Sequence, residues 1–483
     1  GLPELSGGTL NVGGSVSVGT YTQSGGTLGG AGNLTVRGAA TLGSAAGSST
    51  TMLGAGTTSF EASLALIGSG VHDFSGGRTA LLLGDTTWTN AAGNNGQLRL
   101  GFNSRIENHG LWLDNTSIST TINPSLGGGV FVIAANGTYR KATTTTTTVS
   151  AALDNLGAVD VQDGTFTATG AVTQQVGNTL AGGAWRVSGN GVLNLDDAGA
   201  VNFTTNQGDV TLDGASASFA RINTLTTNQG AFRLLGARNF TAVGAFANSG
   251  VLQLGGGTFN APGLSNSAAG EIFGFGTITP VVINSGIVRA SGGTLTASNG
   301  IDGQSGTLQS DAGATLALGA NSDGDFLVNN GTLALGTANV TVAQDYTNGN
   351  FGVGNSFDAR ANVTGTGQIL ASGDVAQALT GAVSNGGTAN ASMAFGNIHV
   401  GDVVTQQYSI ANSGSNGPAL RGAIQTNVNG GNLTDGRLSG SGVTAGNFGP
   451  IAAAGAAVQD VTFTGSTAGA LSGPDGNYNI AAT

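Results

Sequence analysis

The sequence predicts an all-β protein, a right-handed parallel β-helix followed by a small β-sandwich. Three observations predict it. Short phrases of alternating apolar and polar residues recur about every 22 residues, as in Asn206–Gly214, Asn228–Gly236 and Asn248–Gly256. The chain holds 88 Gly in 483 residues with only 8% charged residues, against about 7% Gly and roughly 25% charged in an ordinary domain. Past Gly373 the recurrence stops and longer alternating strands replace it.

The composition excludes several classes. Gly does not occupy every third position and only 7 Pro occur, so collagen is excluded. A hydrophobic share of 39% argues against disorder. Val, Leu, Phe and Thr suit a pleated surface, whereas each interior Gly costs a helix about 1 kcal/mol against Ala. The formal net charge of −11, with Lys141 as the only lysine, leaves no basic footprint for nucleic acid and disfavours an anionic membrane surface. No apolar run is long enough to span a bilayer as a helix. The chain has no Cys, which removes disulfides and thiolate chemistry and suits export. It starts at Gly1 without Met or a leader-like segment, so it is expected to be processed or to be part of a longer protein.

The first stretch of the chain contains Ser6–Val12, Ser24–Gly30 and Gly32–Gly38, related phrases that read as shorter coils of the same solenoid. From there the beat is regular. Corner glycines stand at Gly110, Gly137, Gly157, Gly183, Gly208, Gly230, Gly250, Gly270, Gly286, Gly306 and Gly331, and their spacing averages about 22 residues, within the range of solenoid repeats. Two residues after them stand Trp112, Tyr139, Val159, Trp185, Val210, Phe232, Leu252, Ile272, Val288, Leu308 and Leu333, all large and apolar or aromatic. The next position is mostly polar. The one after is apolar again in Val161, Val187, Leu212, Leu234, Leu254 and Leu335, with Asp114 and Lys141 as exceptions. In–out–in is the period of a strand with one buried face. A second strand follows in phrases such as Gly164–Gly170 and Gly293–Gly300. Asn precedes the corner at Asn108, Asn155, Asn206, Asn228, Asn248, Asn284 and Asn329 or Asn330, and both Asn and Gly tolerate the positive φ of a sharp corner.

Coils that repeat in this way stack, pair their strands in parallel and bury what no single coil can bury. Each stacked Val, Leu or Phe contributes roughly 1.5–3 kcal/mol. Residues 1–370 are assigned to this solenoid, with room for about 16 coils in a rod of roughly 80 Å. Residues 371–388 read as a linker, and 389–483 as the sandwich. Its strands are expected at Ile398–Val400, Gln406–Ala411, Leu420–Ile424 and Val458–Thr464.

The segment Phe395-Gly396-Asn397-Ile398-His399-Val400-Gly401, followed by Tyr408-Ser409-Ile410-Ala411-Asn412-Ser413-Gly414, resembles the choice-of-anchor D domain. That resemblance implies an immunoglobulin-like sandwich of the kind found in large bacterial surface proteins, with Gly473–Thr483 ending short of the family's last strand. In composition and in its Asn-x-Gly corners, the solenoid segment before it resembles the passenger β-helices of autotransporters and two-partner-secreted adhesins.

The functional expectation is therefore an extracellular or surface-displayed structural or adhesive protein, not an enzyme. It would be a stiff stalk or fibre segment whose partners are other copies of itself, cell-surface glycans, or both. Open strand edges at solenoid ends favour end-to-end stacking unless they are capped, and no polar cap is visible near Gly1. A polysaccharide-active β-helix enzyme is the alternative and needs clustered carboxylates. An ice- or mineral-binding surface is the second alternative and needs a Thr or Asp lattice.

No catalytic, cofactor or metal residue is nominated. Asp196-Asp197 and Asp323/Asp325 are the densest acidic spots; calcium at Asp323/Asp325 is weighed against an Asp/Gly corner, which is expected. His72, His109 and His399 lie far apart, with His109 expected at a solvated corner and His399 pointing out of the first sandwich strand. Arg140, Arg186, Arg233 and Arg289 share the outward column and read as scattered solubility charges. The pairs Thr165/Thr167, Thr224/Thr226, Thr277/Thr279 and Thr294/Thr296 are expected to face out and to skip coils.

Overall fold

The computed structural model describes residues 4–197, 199, 201–330, 332–342, 397–411, 420–424, 436–452 and 455–469, with short pieces at 346–348, 350–351, 357–358, 362–365, 369–371, 375–377, 395, 427–428, 431–432 and 480–481. Among the described residues the regular structure is strand apart from one short helical turn at Ala220–Ile222, and it forms a parallel β-solenoid followed by a small antiparallel sandwich. It divides into two compact units, Gly1–Ile272 and Phe273–Thr483.

In the first unit each coil carries strands on up to three faces. The opening coil has Glu4–Leu5, Thr9–Asn11 and Val16–Val18, and the coil above pairs with it through Tyr21–Gln23, Thr27–Gly29 and Leu34–Val36, all in parallel. On the first face one inward file runs Leu64, Thr86, Trp112, Tyr139, Val159, Trp185, Val210, Phe232, Leu252, each residue the backbone partner of the next. Every member from Trp112 onward is fully buried. The sequence column is thus a physical file, and the chain alternates in and out of it because a strand's side chains point to opposite faces in turn. Coil length varies along this face, from the short step between Glu4 and Thr22 to the long one between Trp112 and Tyr139. The extra residues sit in the corners and leave the strands in register.

The Asn before the corner is not there for its backbone freedom. Asn206, Asn228, Asn248 and Asn266 are buried and stacked, each the backbone partner of the next. Asn206 Nδ2 donates to Asn228 Oδ1 at 2.8 Å, Asn228 Nδ2 to Asn248 Oδ1 at 2.7 Å, and Asn248 Nδ2 to Asn266 Oδ1 at 2.8 Å. The same amides donate to strand carbonyls one coil up, Ala231 O at 3.0 Å and Val251 O at 2.9 Å. Nor is positive φ the reason for the corner glycine. Among the first-unit corner glycines only Gly183 adopts it, at 72°. A Cβ at Gly230 would overlap the Gly208 carbonyl oxygen, and one at Gly250 the Gly230 carbonyl oxygen. The corners stack too closely for any side chain, and glycine is required by that contact.

In the second unit two inward files stand on adjacent faces. Val288, Leu308 and Leu327 form one, and its backbone pairing continues to Tyr346 and Val375. Leu295, Leu316 and Leu333 form the other, and its backbone pairing continues to Val363. Leu333 therefore belongs to the neighbouring face and not to the column of Leu308, whose next member is Leu327. Parallel pairing is described as far as Gln377; residues 378–394, which hold most of the expected linker, lie outside the described residues. The sandwich pairs Val403–Ala411 with Ala456–Thr464 in one sheet, and Leu420–Ile424 with Gly446–Ile451 and Ile480–Ala481 in the other. Ile410, Ile424, Phe448 and Ile451 fill the space between. The strand expected at Ile398–Val400 is instead a turn: Asp402 N donates to His399 O at 3.1 Å and Gly401 adopts a φ of 106°.

Two outcomes test this packing. Phe232 has its ring centroid 4.9 Å from that of Phe240 and is fully buried; Phe232→Ala is expected to lower unfolding free energy by about 3–5 kcal/mol in a urea titration. Asn228→Ala orphans buried groups on the coils above and below and is expected to cost about 1–3 kcal/mol for each group left unpaired. A change near zero for Asn228→Ala shows that the amide file does not hold the coils.

Candidate functional site

The second inward file of the first face reads Leu66, Trp88, Asp114, Lys141, Val161, Val187. Two charged residues therefore enter the core on successive coils, and both are fully buried. Alternation along Leu111–Asp114 and Thr138–Val149 forces this, because Trp112 and Tyr139 already face in and the residue two further on must follow. A lone buried charge would cost several kcal/mol. Here opposite charges meet, and hydroxyls satisfy both.

Asp114 Oδ1 accepts from Thr116 Oγ1 at 2.7 Å and from Thr116 N at 3.1 Å. Asp114 Oδ2 accepts from the Tyr139 hydroxyl at 2.5 Å and from Thr147 Oγ1. Lys141 Nζ donates to Thr145 Oγ1 at 2.8 Å and to Thr143 Oγ1, and lies 3.7 Å from Asp114 Oδ1. Three members of the Thr143–Thr148 run thus line the cluster. Trp88, Trp112, Phe131, Tyr139 and Phe166 surround it in a chain of ring contacts with centroids 5.1–6.1 Å apart. Burial pushes the Tyr139 phenol well above its usual range, and the Asp114 charge pushes it the same way, so it stays a donor. Burial lowers the Lys141 ammonium, and Asp114 opposes that shift.

The residues weighed from sequence fall elsewhere and are not brought together. His72 is fully buried, with Nδ1 2.9 Å from Thr50 Oγ1 and Nε2 without a partner. His109 is not a free corner residue: its ring nitrogens lie 3.1 Å from Asn136 Oδ1 and 3.0 Å from Glu107 Oε1, and Glu107 also accepts from Arg105. His399 is exposed, in the turn before Val403. Asp197 accepts from Gln175 Nε2 at 2.9 Å, while Asp196 is exposed. Asp323 accepts from Gly303 N on the neighbouring coil. Among the described residues no three His, Asp or Glu are grouped to hold a metal ion.

Arg140 pairs with Asp160 of the next coil at 2.9 Å, and Arg233 with Asp209 of the coil before. Arg289 pairs with Asp311 at 2.9 Å. These arginines bridge successive coils and are more than scattered charges. The threonine pairs flank buried Phe166, Leu225, Ile278 and Leu295 and are partly or fully exposed. Thr165 is followed in its file by Val192 and Thr167 by Asn194, whereas Thr294 continues to Thr315 and Thr332.

Sequence reasoning left Asp114 and Lys141 as exceptions to an apolar column. The signal that marks them was present: a carboxylate and the chain's only lysine occupy the same column on consecutive repeats. It also passed over Arg78, whose buried guanidinium donates to Leu53 O, Thr58 Oγ1 and Gly30 O and so ties several coils together. Known proteins add no further bearing on the site. No family model, curated protein or solved structure matches the chain.

The buried imidazole makes stability depend on pH. Burial lowers His72 from 6.5 to about 4. Between these values the unfolded chain holds a proton that the native chain does not. The His72 contribution is therefore intact above pH 6.5, falls as pH drops through the window, and is lost below pH 4, a change of about 3 kcal/mol. Urea titrations from pH 7 to 4 should show a shallower fall for His72→Gln than for wild type. Equal slopes would remove His72 as the cause.

Proposed function

We propose that the chain is a stiff, tension-carrying segment of an extracellular bacterial structural or adhesive protein, displayed on the cell surface or secreted. The buried amide file Asn206–Asn228–Asn248–Asn266 carries this reading. It commits side chains that could serve a surface to cohesion along the solenoid axis. Inter-coil ion pairs such as Arg99–Asp73, 2.6 Å at each of two contacts, do the same on the outside. Twelve coils of the first unit, counted by the first-face strands that begin at Glu4, Tyr21, Ala40, Leu64, Thr86, Leu111, Thr138, Ala158, Ala184, Asp209, Ala231 and Val251, correspond to roughly 55 Å of axial rise at the inter-strand spacing. The likeness of the repeats to secreted adhesin passengers supports the setting. The contacts proposed are with other copies of the chain and with cell-surface glycans.

Pulling single molecules by their ends tests the mechanical half. Extension is expected in force peaks whose spacing matches the chain held in one or a few coils, from short ones such as Glu4 to Thr22 to long ones such as Trp112 to Tyr139. Smooth extension without peaks would refute the mechanical role. Beads coated with the chain test the adhesive half. They are expected to clump with one another or to adhere to glycan-coated surfaces, and beads that behave like uncoated ones refute it.

A further inference from the structure

We propose that Asp114 and Lys141 join through a side-chain amide bond, a covalent staple between successive coils. The two residues are backbone partners in one inward file. Both are fully buried, with Lys141 Nζ 3.7 Å from Asp114 Oδ1. Parallel pairing fixes both Cα positions, and the surrounding rings leave the side chains little freedom. The amine and the carboxyl are thus held at a high effective concentration in a dry site.

The hydroxyls supply the proton path. Lys141 Nζ donates to Thr145 Oγ1 at 2.8 Å, Thr145 Oγ1 lies 3.1 Å from Thr116 Oγ1, and Thr116 Oγ1 donates to Asp114 Oδ1 at 2.7 Å. One proton moving along this chain converts the ammonium–carboxylate pair into an amine and a carboxylic acid. The amine lone pair then adds to Asp114 Cγ and forms the C–N bond. Negative charge collects on Oδ2, where Tyr139 and Thr147 already donate, an arrangement suited to an oxyanion. A second proton passes from nitrogen to Oδ1, the Cγ–Oδ1 bond breaks, and Oδ1 leaves as water as the carbonyl re-forms. Nothing is oxidised or reduced, and one water is released per bond. Burial favours the neutral amine, as the lowered Lys141 ammonium shows.

Lys141 is the only lysine, which makes the test direct. The intact wild-type chain, measured by mass spectrometry in denaturant, is expected to be lighter than its sequence by one water. Trypsin is expected to release peptide 106–140 joined to peptide 141–186. Reductive methylation in denaturant should leave Lys141 unmodified. Asp114→Asn is expected to close the same bond with loss of ammonia and to give the wild-type mass, while Lys141→Arg returns the full sequence mass. A wild-type chain of full mass whose Lys141 is methylated overturns the proposal. Loss of water at another position, with peptides 106–140 and 142–186 separate, overturns it equally. Neither reading depends on the variants folding or on the function proposed above.

Discussion

Successive corners of this solenoid lie in direct contact, and that contact governs the rest. A Cβ at Gly230 or Gly250 would overlap a carbonyl oxygen of the corner beneath. Chain brought this close buries its own polar groups, and buried backbone groups need partners. The asparagine two residues earlier supplies them. Its amide meets the amide of the next coil and a strand carbonyl beyond it. Hydrophobic burial alone would tolerate a slip of two residues along a strand, since the same alternation keeps apolar groups inside. The amide file does not tolerate it, because one slipped coil leaves donors and acceptors unmatched on both of its faces. Glycine and asparagine fix register; the apolar files fix only which side faces in.

This division of labour explains what the sequence made legible. Trp112, Tyr139, Val210, Phe232 and Leu252 were readable as core because alternation is local and burial enforces it on every strand. The assignment of a strand to a face was less readable. The phrase Gly-Thr-Leu ends at both Leu308 and Leu333, yet Thr307-Leu308 and Thr332-Leu333 stand on different faces, so counting the period merges two files. Asn266 was passed over because its corner runs to Gly270, beyond the usual two residues, although its amide takes the same place in the stack. The turn at His399 depends on Gly401 N bonding to Gly465 O at 2.8 Å, a contact set by distant chain.

The same vertical logic applies to charge. Outside, Arg140 meets Asp160 one coil up and Arg99 meets Asp73 one coil down. Half-buried surface pairs of this kind contribute little singly, but each lies across a coil boundary, where it opposes separation along the axis. Inside, Asp114 and Lys141 follow the same alternation of sign in a file whose other members from Leu66 to Val187 are apolar. The corner glycines Gly110 and Gly137 set both residues in one column of the sequence, and the parallel register makes them partners; the threonine hydroxyls that join them come from the neighbouring stretch and were not legible there.

The interior pair is over-provided if neutralising charge is its only purpose. Replacing a buried ion pair with apolar residues of similar size is often neutral or stabilising, and the files on either side show that this core accepts Val and Leu. The chain instead gathers a phenol and four threonine hydroxyls around two charges. A resident ion pair needs donors to its carboxylate and acceptors for its ammonium, and nothing that connects the two. The Thr145–Thr116 contact does connect them. An amide at this place would remove both charges from the core, retain the hydroxyls as partners for its own C=O and N–H, and convert the costliest step in the file into the one that tension cannot separate without breaking a bond. Such a staple would close a loop of one coil, so its effect would be to hold two neighbouring coils together and leave the ends to the amide file and the rings.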